Sequence, residues 1–214
     1  MTYIFVHGSG HKATSWNETI SYIKSDKEIL CPDLSSMLDG KEANYANIYA
    51  SFAEYCNKTE GQINLCGLSL GGVLTLNYAL DFPDKVNKLV LIGTPHKMTG
   101  VWFAVQSVIC RFMPKSFFEK MAFGKKDMFI FSNSIKKLDF SDRLQNIKCP
   151  TLIICGKKDG AFIKSAYYFA ENIKNSKLKI LENVGHVVNE ENPKALATEL
   201  NEYYNENDCS KTIV

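Results

Sequence analysis

Short apolar runs alternate with longer segments of helical periodicity along most of the 214-residue chain. The apolar runs lie at 3–6, 28–30, 63–66, 88–92, 152–155 and 178–181. Helical spacing of apolar side chains extends over 45–58, 72–82 and 164–173, and a last helix is expected to follow Asn192 as N-cap, with Pro193 as its first residue. Runs this continuously apolar are typical of strands covered on both faces. The pattern therefore predicts an α/β fold: a mostly parallel, doubly wound sheet of about six strands with helices on both faces.

Charge and cysteine usage narrow the class of protein. The formal net charge of +2 is too small to indicate binding to nucleic acid or to an anionic membrane. The seven cysteines show no C-x-x-C spacing, which favours reduced thiols over a disulfide framework. The first residues lack the regions of a signal peptide, and no window has the length of a membrane span. We expect a soluble cytoplasmic protein with no nucleic-acid partner and no stable membrane insertion.

One segment, from 96 to 137, interrupts the alternation. It contains no clean strand but is rich in Phe, Trp and Met, and a structureless loop of this length is improbable inside a compact domain. Its eight Lys and Arg residues oppose two acidic residues, which gives this segment a charge of +6 and the rest of the chain −4. We predict a basic, aromatic helical cap at 96–137, inserted into a core domain formed by 1–95 and 138–214.

The pentapeptide Gly67-Leu68-Ser69-Leu70-Gly71 lies between an apolar run and a predicted helix. A nucleophilic serine on a strand-to-helix turn has this context, and side chains at Gly67 and Gly71 would collide with the neighbouring strand and helix. At a helix N-terminus, the dipole and free N–H groups favour a developing negative charge. This pattern predicts that Ser69 is a nucleophile. The alternative is a glycine-rich turn in which Ser69 only caps the helix.

A serine nucleophile needs a histidine to take its proton and a carboxylate to orient that histidine. His186 and Asp159 each follow a predicted strand, so both are expected at the carboxyl edge of the sheet, together with Ser69. Their order, Ser69, Asp159, His186, is the order expected for this type of turn. The loop after the first strand adds the backbone N–H of Ser9, which we expect to form an oxyanion hole with the N–H of Leu70.

With these motifs the chain resembles the α/β-hydrolase family. The resemblance covers nearly the whole sequence through the segments FVHGSG, CPDL, GLSLGG, PTLIICGKKD and NVGHVVNEENP. It implies Ser69 as nucleophile, His186 as base, Asp159 as its carboxylate, Ser9 and Leu70 as the oxyanion hole, and the family's cap after residue 92. The chain departs from many members in beginning directly at the strand before His7, which implies a sheet without the N-terminal antiparallel strands, and in its short cap. A serine at position 69 argues against the haloalkane dehalogenase and epoxide hydrolase branches.

The function predicted from these features is a serine hydrolase that cleaves a carboxylic ester or thioester with an apolar acyl or aryl group. The expected partner is this small-molecule substrate, with no cofactor and no metal, since the sequence has neither H-E-x-x-H nor a Cys/His cluster. Four residues are expected to line the substrate pocket: His96, Trp102, Phe103 and Phe112. The sequence leaves open the oligomeric state and whether the basic cap attracts an anionic substrate or a lipid surface.

Other functions remain open on the same residues. The triad and fold also serve lactone or carbon–carbon bond hydrolysis, acyl transfer or a lyase reaction. A further alternative is a non-enzymatic sensor that binds a small ligand in a vestigial hydrolase site. Four residues that attract attention have simpler interpretations: His11 as a loop hydrogen-bonder, Asp33 as a turn residue, and Cys66 and Cys155 as small buried hydrophobes.

Overall fold

The computed structural model describes residues 1–24, 28–98 and 124–205. The strands are β1 (Thr2–Val6), β2 (Ile29–Leu30), β3 (Ile63–Leu68), β4 (Val86–Ile92), β5 (Thr151–Gly156) and β6 (Ser176–Leu181). The α-helices are α1 (Asn17–Ser21), α2 (Tyr45–Lys58), α3 (Leu70–Asp81), α4 (Lys125–Ser134), α5 (Ile163–Asn172), α6 (Val188–Glu191) and α7 (Pro193–Asn205). Short 3₁₀ helices cover Ala13–Trp16, Ser36–Leu38 and Ser141–Asn146.

The strands form one sheet in the order β2-β1-β3-β4-β5-β6. Every pair of neighbouring strands in it runs parallel. The strand order reverses direction between β1 and β3, and ligands of open parallel sheets bind at the carboxyl ends of the strands near such a switch point. The predicted sheet is confirmed, and its carboxyl edge is the place to look for a site.

Two apolar cores lie on opposite faces of this sheet. Along β1, Ile4 and Val6 pack with α2, α3 and α5 in one core, whereas Tyr3 and Phe5 pack with Trp16 and α7 in the other. Successive side chains of a strand point to opposite faces, so a strand covered by helices on both sides must be apolar at every position. The helices expected on both faces are therefore confirmed.

The helix and strand bounds agree with the sequence pattern to within two residues, and the differences matter most around the serine. Helix α2 has the predicted bounds, and Asn192 caps α7 by accepting a hydrogen bond from Ala195 N at 3.1 Å. Strand β3 continues two residues beyond the predicted end, because Gly67 and Leu68 still pair with β4. Helix α3 begins at Leu70 rather than at residue 72. The strand and helix thus leave only Ser69 between them.

The two ends of the 96–137 segment are joined to each other. Met98 N donates a hydrogen bond to Leu138 O at 2.9 Å, and Phe140 N donates to His96 O at 2.9 Å. Within the segment, α4 packs against the core through Met128 and Phe131, and Ile135, directly after the helix, is buried there too. The predicted pocket residues Trp102, Phe103 and Phe112 lie outside the described residues.

Two cysteines on the strands of the sheet were expected to be buried. Cys66 and Cys155 are fully buried, as expected for small hydrophobes. Burial raises the pKa of the Cys66 thiol well above its ordinary value and that of Cys155 to about 12, with a smaller effect from the charge of Asp159 on Cys155.

None of the helices in the described part of the chain combines the length and apolar character needed to cross a membrane.

A buried lysine on β4 caps α7. Lys88 is 5% exposed, and its Nζ donates hydrogen bonds to Tyr203 O at 2.9 Å and Tyr204 O at 3.1 Å, in the last turn of that helix. Replacing Lys88 with methionine is expected to lower the free energy of unfolding by about 1–3 kcal/mol, because these carbonyl groups lose a charged donor. Urea denaturation measures the change. The exposed Lys148→Met is the control, with an expected change of about 0.5 kcal/mol or less, and equal unfolding midpoints for both variants would contradict the prediction.

Candidate active site

The backbone at Ser69 is bent between β3 and α3. Ser69 has φ 53° and ψ −111°, and its N–H donates to Ile92 O at 2.8 Å. A positive φ at a residue with a side chain costs about 1–3 kcal/mol and persists where surrounding contacts impose it, often at functional sites. The Ser69 side chain makes no capping hydrogen bond to the helix. Ser69 therefore occupies the N-cap position of α3 without capping the helix through its side chain.

Two glycines make this bend possible. A Cβ atom on Gly67 would lie 2.3 Å from Gly71 O, in the first turn of α3. A Cβ atom on Gly71 would lie 2.1 Å from Val6 O, at the end of β1. Backbone atoms at such distances have no room to move aside. The predicted collisions with the neighbouring strand and helix are confirmed, and they explain why a glycine lies two residues before and two residues after Ser69.

His186 and Asp159 form a close pair at the carboxyl edge of the sheet. Asp159 follows β5, His186 follows β6, and His186 Nδ1 lies 2.7 Å from Asp159 Oδ2. Asp159 is only 4% exposed, and its other oxygen, Oδ1, accepts a hydrogen bond from Phe162 N at 3.2 Å. A carboxylate held in this way fixes the imidazole tautomer with a proton on Nδ1, which leaves Nε2 free to accept a proton.

Gly93 connects this pair to the serine. It follows β4 with φ 51°, and a Cβ atom there would lie 3.0 Å from His186 Nδ1 and 3.3 Å from Asp159 Oδ2. Because Ser69 N is bonded to Ile92 O, the serine turn and the His–Asp pair border the same short stretch of β4. No hydrogen bond joins the Ser69 hydroxyl to another of the described residues. Hydrogen bonds of catalytic groups are often long when no substrate is bound, so this absence does not exclude a role for Ser69. The structure joins the imidazole of His186 to the carboxylate of Asp159 and puts Ser69 at the same edge of the sheet.

The two amides expected to form the oxyanion hole are both available. Ser9, Ser69 and Leu70 line one small cavity. Among residues 1–24, 28–98 and 124–205, neither Ser9 N nor Leu70 N donates a hydrogen bond to a backbone carbonyl. Free N–H groups beside a nucleophile are the donors that a tetrahedral oxyanion requires.

His7, to which the sequence analysis gave no role, holds the loop that carries Ser9. It is fully buried, its Nδ1 donates to Gly8 O at 2.8 Å, and its Nε2 accepts from Leu34 N at 3.1 Å. This arrangement requires the neutral ring. Burial lowers the pKa of His7, against a smaller opposing effect of the hydrogen bond to Gly8.

Stability is expected to depend on pH through this histidine. The pKa of His7 is lowered in the folded protein from its ordinary value of 6.5, so stability is fully present above pH 6.5 and is lost as the pH falls toward the folded-state value. The free energy of unfolding, measured by urea denaturation, should therefore decrease as the pH is lowered from about 7.5 to about 5.5. The decrease due to His7 is at most about 1.4 kcal/mol per pH unit. His7→Gln, which does not titrate, should show a weaker dependence. The same pH dependence in both proteins would contradict the assignment.

The remaining lining of the cavity is apolar. It comes from Pro95, Met98, Phe131, Ile135 and Phe162, none of which was singled out as a pocket residue. The ring of Phe162 also contacts the ring of His186, with centroids 4.8 Å apart, so this side chain borders both the cavity and the His–Asp pair. The side chains that the structure describes beside Ser69 are therefore mainly apolar.

His96 lies against α5 and is not among the residues that line this cavity. Its ring stacks on Tyr168 at 4.2 Å, and its Nδ1 lies 2.9 Å from Ser165 Oγ. Asp33 is a turn residue as expected, because it accepts hydrogen bonds from two nearby serines, Ser35 and Ser36. The expected loop hydrogen bond of the His11 ring is not found among the described residues: its Nδ1 is buried without a partner, and its Nε2 lies 3.8 Å from Glu190 Oε1.

The fold and this arrangement of residues identify the class of protein. The chain belongs to the alpha/beta hydrolase family, whose model matches residues 3–199. It is similar to monoacylglycerol lipase ABHD6 of Mus musculus, with 22% identity over 91% of this chain and 72% of that protein. It is also similar to 3-oxoadipate enol-lactonase 2 of Acinetobacter baylyi, with 22% identity over 90% of this chain and 84% of the relative.

A solved structure supports the fold independently of sequence. A thermophilic esterase from Thermogutta terrifontis, with malate bound, superposes with a TM-score of 0.79 over 96% of this chain and 90% of the esterase, at 19% identity. The family resemblance inferred from the sequence motifs is confirmed.

Proposed function

We propose that the protein is a serine hydrolase that cleaves a carboxylic ester or thioester through an acyl-enzyme. The observation that carries the proposal is the position of Ser69, whose backbone is strained and whose side chain makes no capping hydrogen bond. It lies at the sheet edge that also holds the His186–Asp159 pair, with 2.7 Å between Nδ1 and Oδ2. A strained backbone at a residue with a side chain costs free energy, and so does a carboxylate as buried as Asp159, 4% exposed; such features cluster at functional sites.

In this mechanism each group has one task. Ser69 Oγ attacks the substrate carbonyl while His186 Nε2 takes its proton, and Asp159 stabilises the imidazolium. The N–H groups of Ser9 and Leu70 bind the tetrahedral oxyanion. His186 then donates the proton to the leaving alcohol or thiol, and the acyl group stays on Ser69. A water molecule, deprotonated by His186, attacks this acyl-enzyme and releases the carboxylic acid, after which Ser69 regains its proton.

The apolar lining supports a substrate with an apolar acyl or aryl group. Met98, Phe131, Ile135 and Phe162 offer no charged or hydrogen-bonding side-chain group beside Ser69, so they favour burial of hydrocarbon. The monoacylglycerol lipase among the relatives acts, by its name, on an ester of this kind. We further propose that 96–137 is the cap over this cavity, which the hydrogen bonds between its two ends support, and that the protein is cytoplasmic, which its free cysteines support.

Lactone hydrolysis is the second candidate, favoured by the similarity to an enol-lactonase over 90% of this chain. A lactone differs from an open ester in keeping its leaving group attached to the acyl chain. A panel of matched lactones, p-nitrophenyl esters of increasing chain length, acyl thioesters and carbon–carbon cleavage substrates separates these activities. Product analysis with an added alcohol detects acyl transfer. Very slow turnover of every compound, combined with tight ligand binding, would favour a sensor.

Covalent labelling tests the proposed nucleophile directly. A fluorophosphonate probe reacts with a serine activated by a neighbouring base, and mass spectrometry of the digested adduct identifies the labelled peptide. We expect the adduct on Ser69 and on no other serine. An adduct elsewhere, or a chain that stays unlabelled while correctly folded, would refute the proposal.

A further inference from the structure

The side chain of His186 extends from a short loop between β6 and α6. One end of this loop is fixed to the end of β5, because Lys158 N donates a hydrogen bond to Val184 O at 2.9 Å. Close packing reinforces this attachment, since a Cβ atom on Gly156 would lie 2.1 Å from Gly185 O. The position of the imidazole therefore depends on what holds the other side of the loop.

The carboxylate of Glu191 holds that other side with both of its oxygens. Oε2 accepts a hydrogen bond from Gly185 N at 2.6 Å, and Oε1 accepts one from Val187 N at 3.0 Å. These are the amides of the residues immediately before and after His186. The backbone N–H of Glu191 also donates to Val187 O at 2.8 Å, so both the side chain and the backbone of Glu191 are hydrogen-bonded to Val187.

The charge and geometry of this contact make it strong for an exposed side chain. Hydrogen bonds from an amide to an ionised carboxylate are shorter and about twice as strong as neutral ones. Two such bonds from one rigid group restrain two amides at once, and they thereby restrain the Cα–Cβ direction of the residue between them. Displacements of about 1 Å in a catalytic group reduce turnover by about 100-fold, so this restraint bears on chemistry and not only on stability.

We propose that Glu191 is a positioning residue, whose carboxylate fixes the loop of His186 so that the imidazole meets both Asp159 and Ser69. The inference rests on the proposed function for its effect on turnover. A purely structural role, such as support of the short helix α6, would predict lower stability with turnover unchanged in the protein that remains folded.

The experiment compares Glu191→Ala, Glu191→Gln and the control Glu182→Gln. Alanine removes both acceptors, whereas glutamine keeps the shape, one acceptor and no charge. Glu182, the first residue after β6, is an exposed carboxylate paired with Lys157 at 2.8 Å, and the amides of Gly185 and Val187 donate to Glu191 and not to it. Each variant is assayed well below its unfolding temperature with an ester of the wild-type protein's preference. Proton NMR follows the downfield signal of the proton between His186 and Asp159, which is assigned by its loss in Asp159→Asn.

We expect kcat of Glu191→Ala to fall by about 10- to 100-fold with KM changed by less than about twofold, and the downfield signal to broaden. Glu191→Gln should lie between Ala and wild type, and Glu182→Gln should equal wild type. Wild-type kcat and an unchanged downfield signal in Glu191→Ala would overturn the inference. If the wild-type protein cleaves no ester and takes no probe, the proposed function fails, and the signal alone decides the role of Glu191: broadening supports it, an unchanged signal refutes it.

Discussion

Ser69→Ala is expected to lower kcat for p-nitrophenyl esters by at least about 10⁴-fold, the largest effect predicted for any single substitution in this chain. In the proposed mechanism the variant lacks the atom that attacks the carbonyl, and neither His186 nor the amides of Ser9 and Leu70 would replace it. Residual activity from oxyanion stabilisation and substrate binding should remain above the rate in water. Steady-state kinetics measure the fall, and loss of fluorophosphonate labelling accompanies it.

Folding and site specificity need separate controls for this result. A thermal unfolding curve similar to that of wild type shows that the lost activity is chemical. The serine at position 21, which is exposed and donates to Glu18 O at 2.7 Å, gives the matched variant Ser21→Ala with expected wild-type kinetics. Undiminished turnover in a folded Ser69→Ala protein would rule out the proposed nucleophile.

Asp159→Asn is the second large effect, with an expected fall in kcat of about 10⁴-fold. The asparagine oxygen keeps the hydrogen bond from Phe162 N, so the loop after β5 should retain its shape. An amide NH₂ in the place of Oδ2 would face His186 Nδ1 and hold the ring in the other tautomer. Nε2 would then carry the proton and lose its capacity to accept one from Ser69.

The matched control is Asp33→Asn. Asp33 is another carboxylate that follows a strand, but it binds serines of its own turn and lies outside the cavity lining. We expect kcat near the wild-type value for this variant. Similar losses in both variants would indicate that general electrostatics, and not the imidazole contact of Asp159, governs the rate.

The sheet was predictable because its signals are local. The central strand β4 is buried on both faces, so every residue from Leu89 to Ile92 had to be apolar, and no tertiary information is needed to see that run. The ends of β3 and α3 were harder to place. Glycine weakens both strand and helix patterns, and only the pairing of Gly67 with Leu91 and the tight approach of Gly71 to Val6 assign these residues to regular structure.

The place of the candidate residues at the sheet edge was predictable where a residue type and its position at a strand end together indicate chemistry. Ser69, Asp159 and His186 each satisfy that condition, and the order of the three added weight. Gly93 and Glu191 carry no such signal, since their importance arises from atoms distant in sequence or from a loop conformation. Glu191 lies five residues after His186, and its contact with the amides beside His186 is evident only when the bent conformation of the loop is known.

Pocket residues were the least predictable part. His96 follows a strand end, as the proposed catalytic residues do, yet stacking on Tyr168 and the contact with Ser165 direct its ring toward α5. Phe162 lies in the cavity because it begins the turn into α5 beside Asp159, and nothing in its local sequence distinguishes it from other aromatic residues. Apolar side chains line cores and cavities alike, so composition alone does not separate the two.

Hydrogen bonds join 96–98 to 138–140, so the chain between them leaves the core and returns to it at one place. Because these two ends are fixed to each other, doubling the length of the chain between them would add only about 0.6 kcal/mol of closure entropy. Helix α4 packs in the core through Met128 and Phe131, and Ile135, directly after it, packs there too. Exchange of the chain between these hydrogen bonds for one of another length is therefore expected to leave the turn around Ser69 with its geometry.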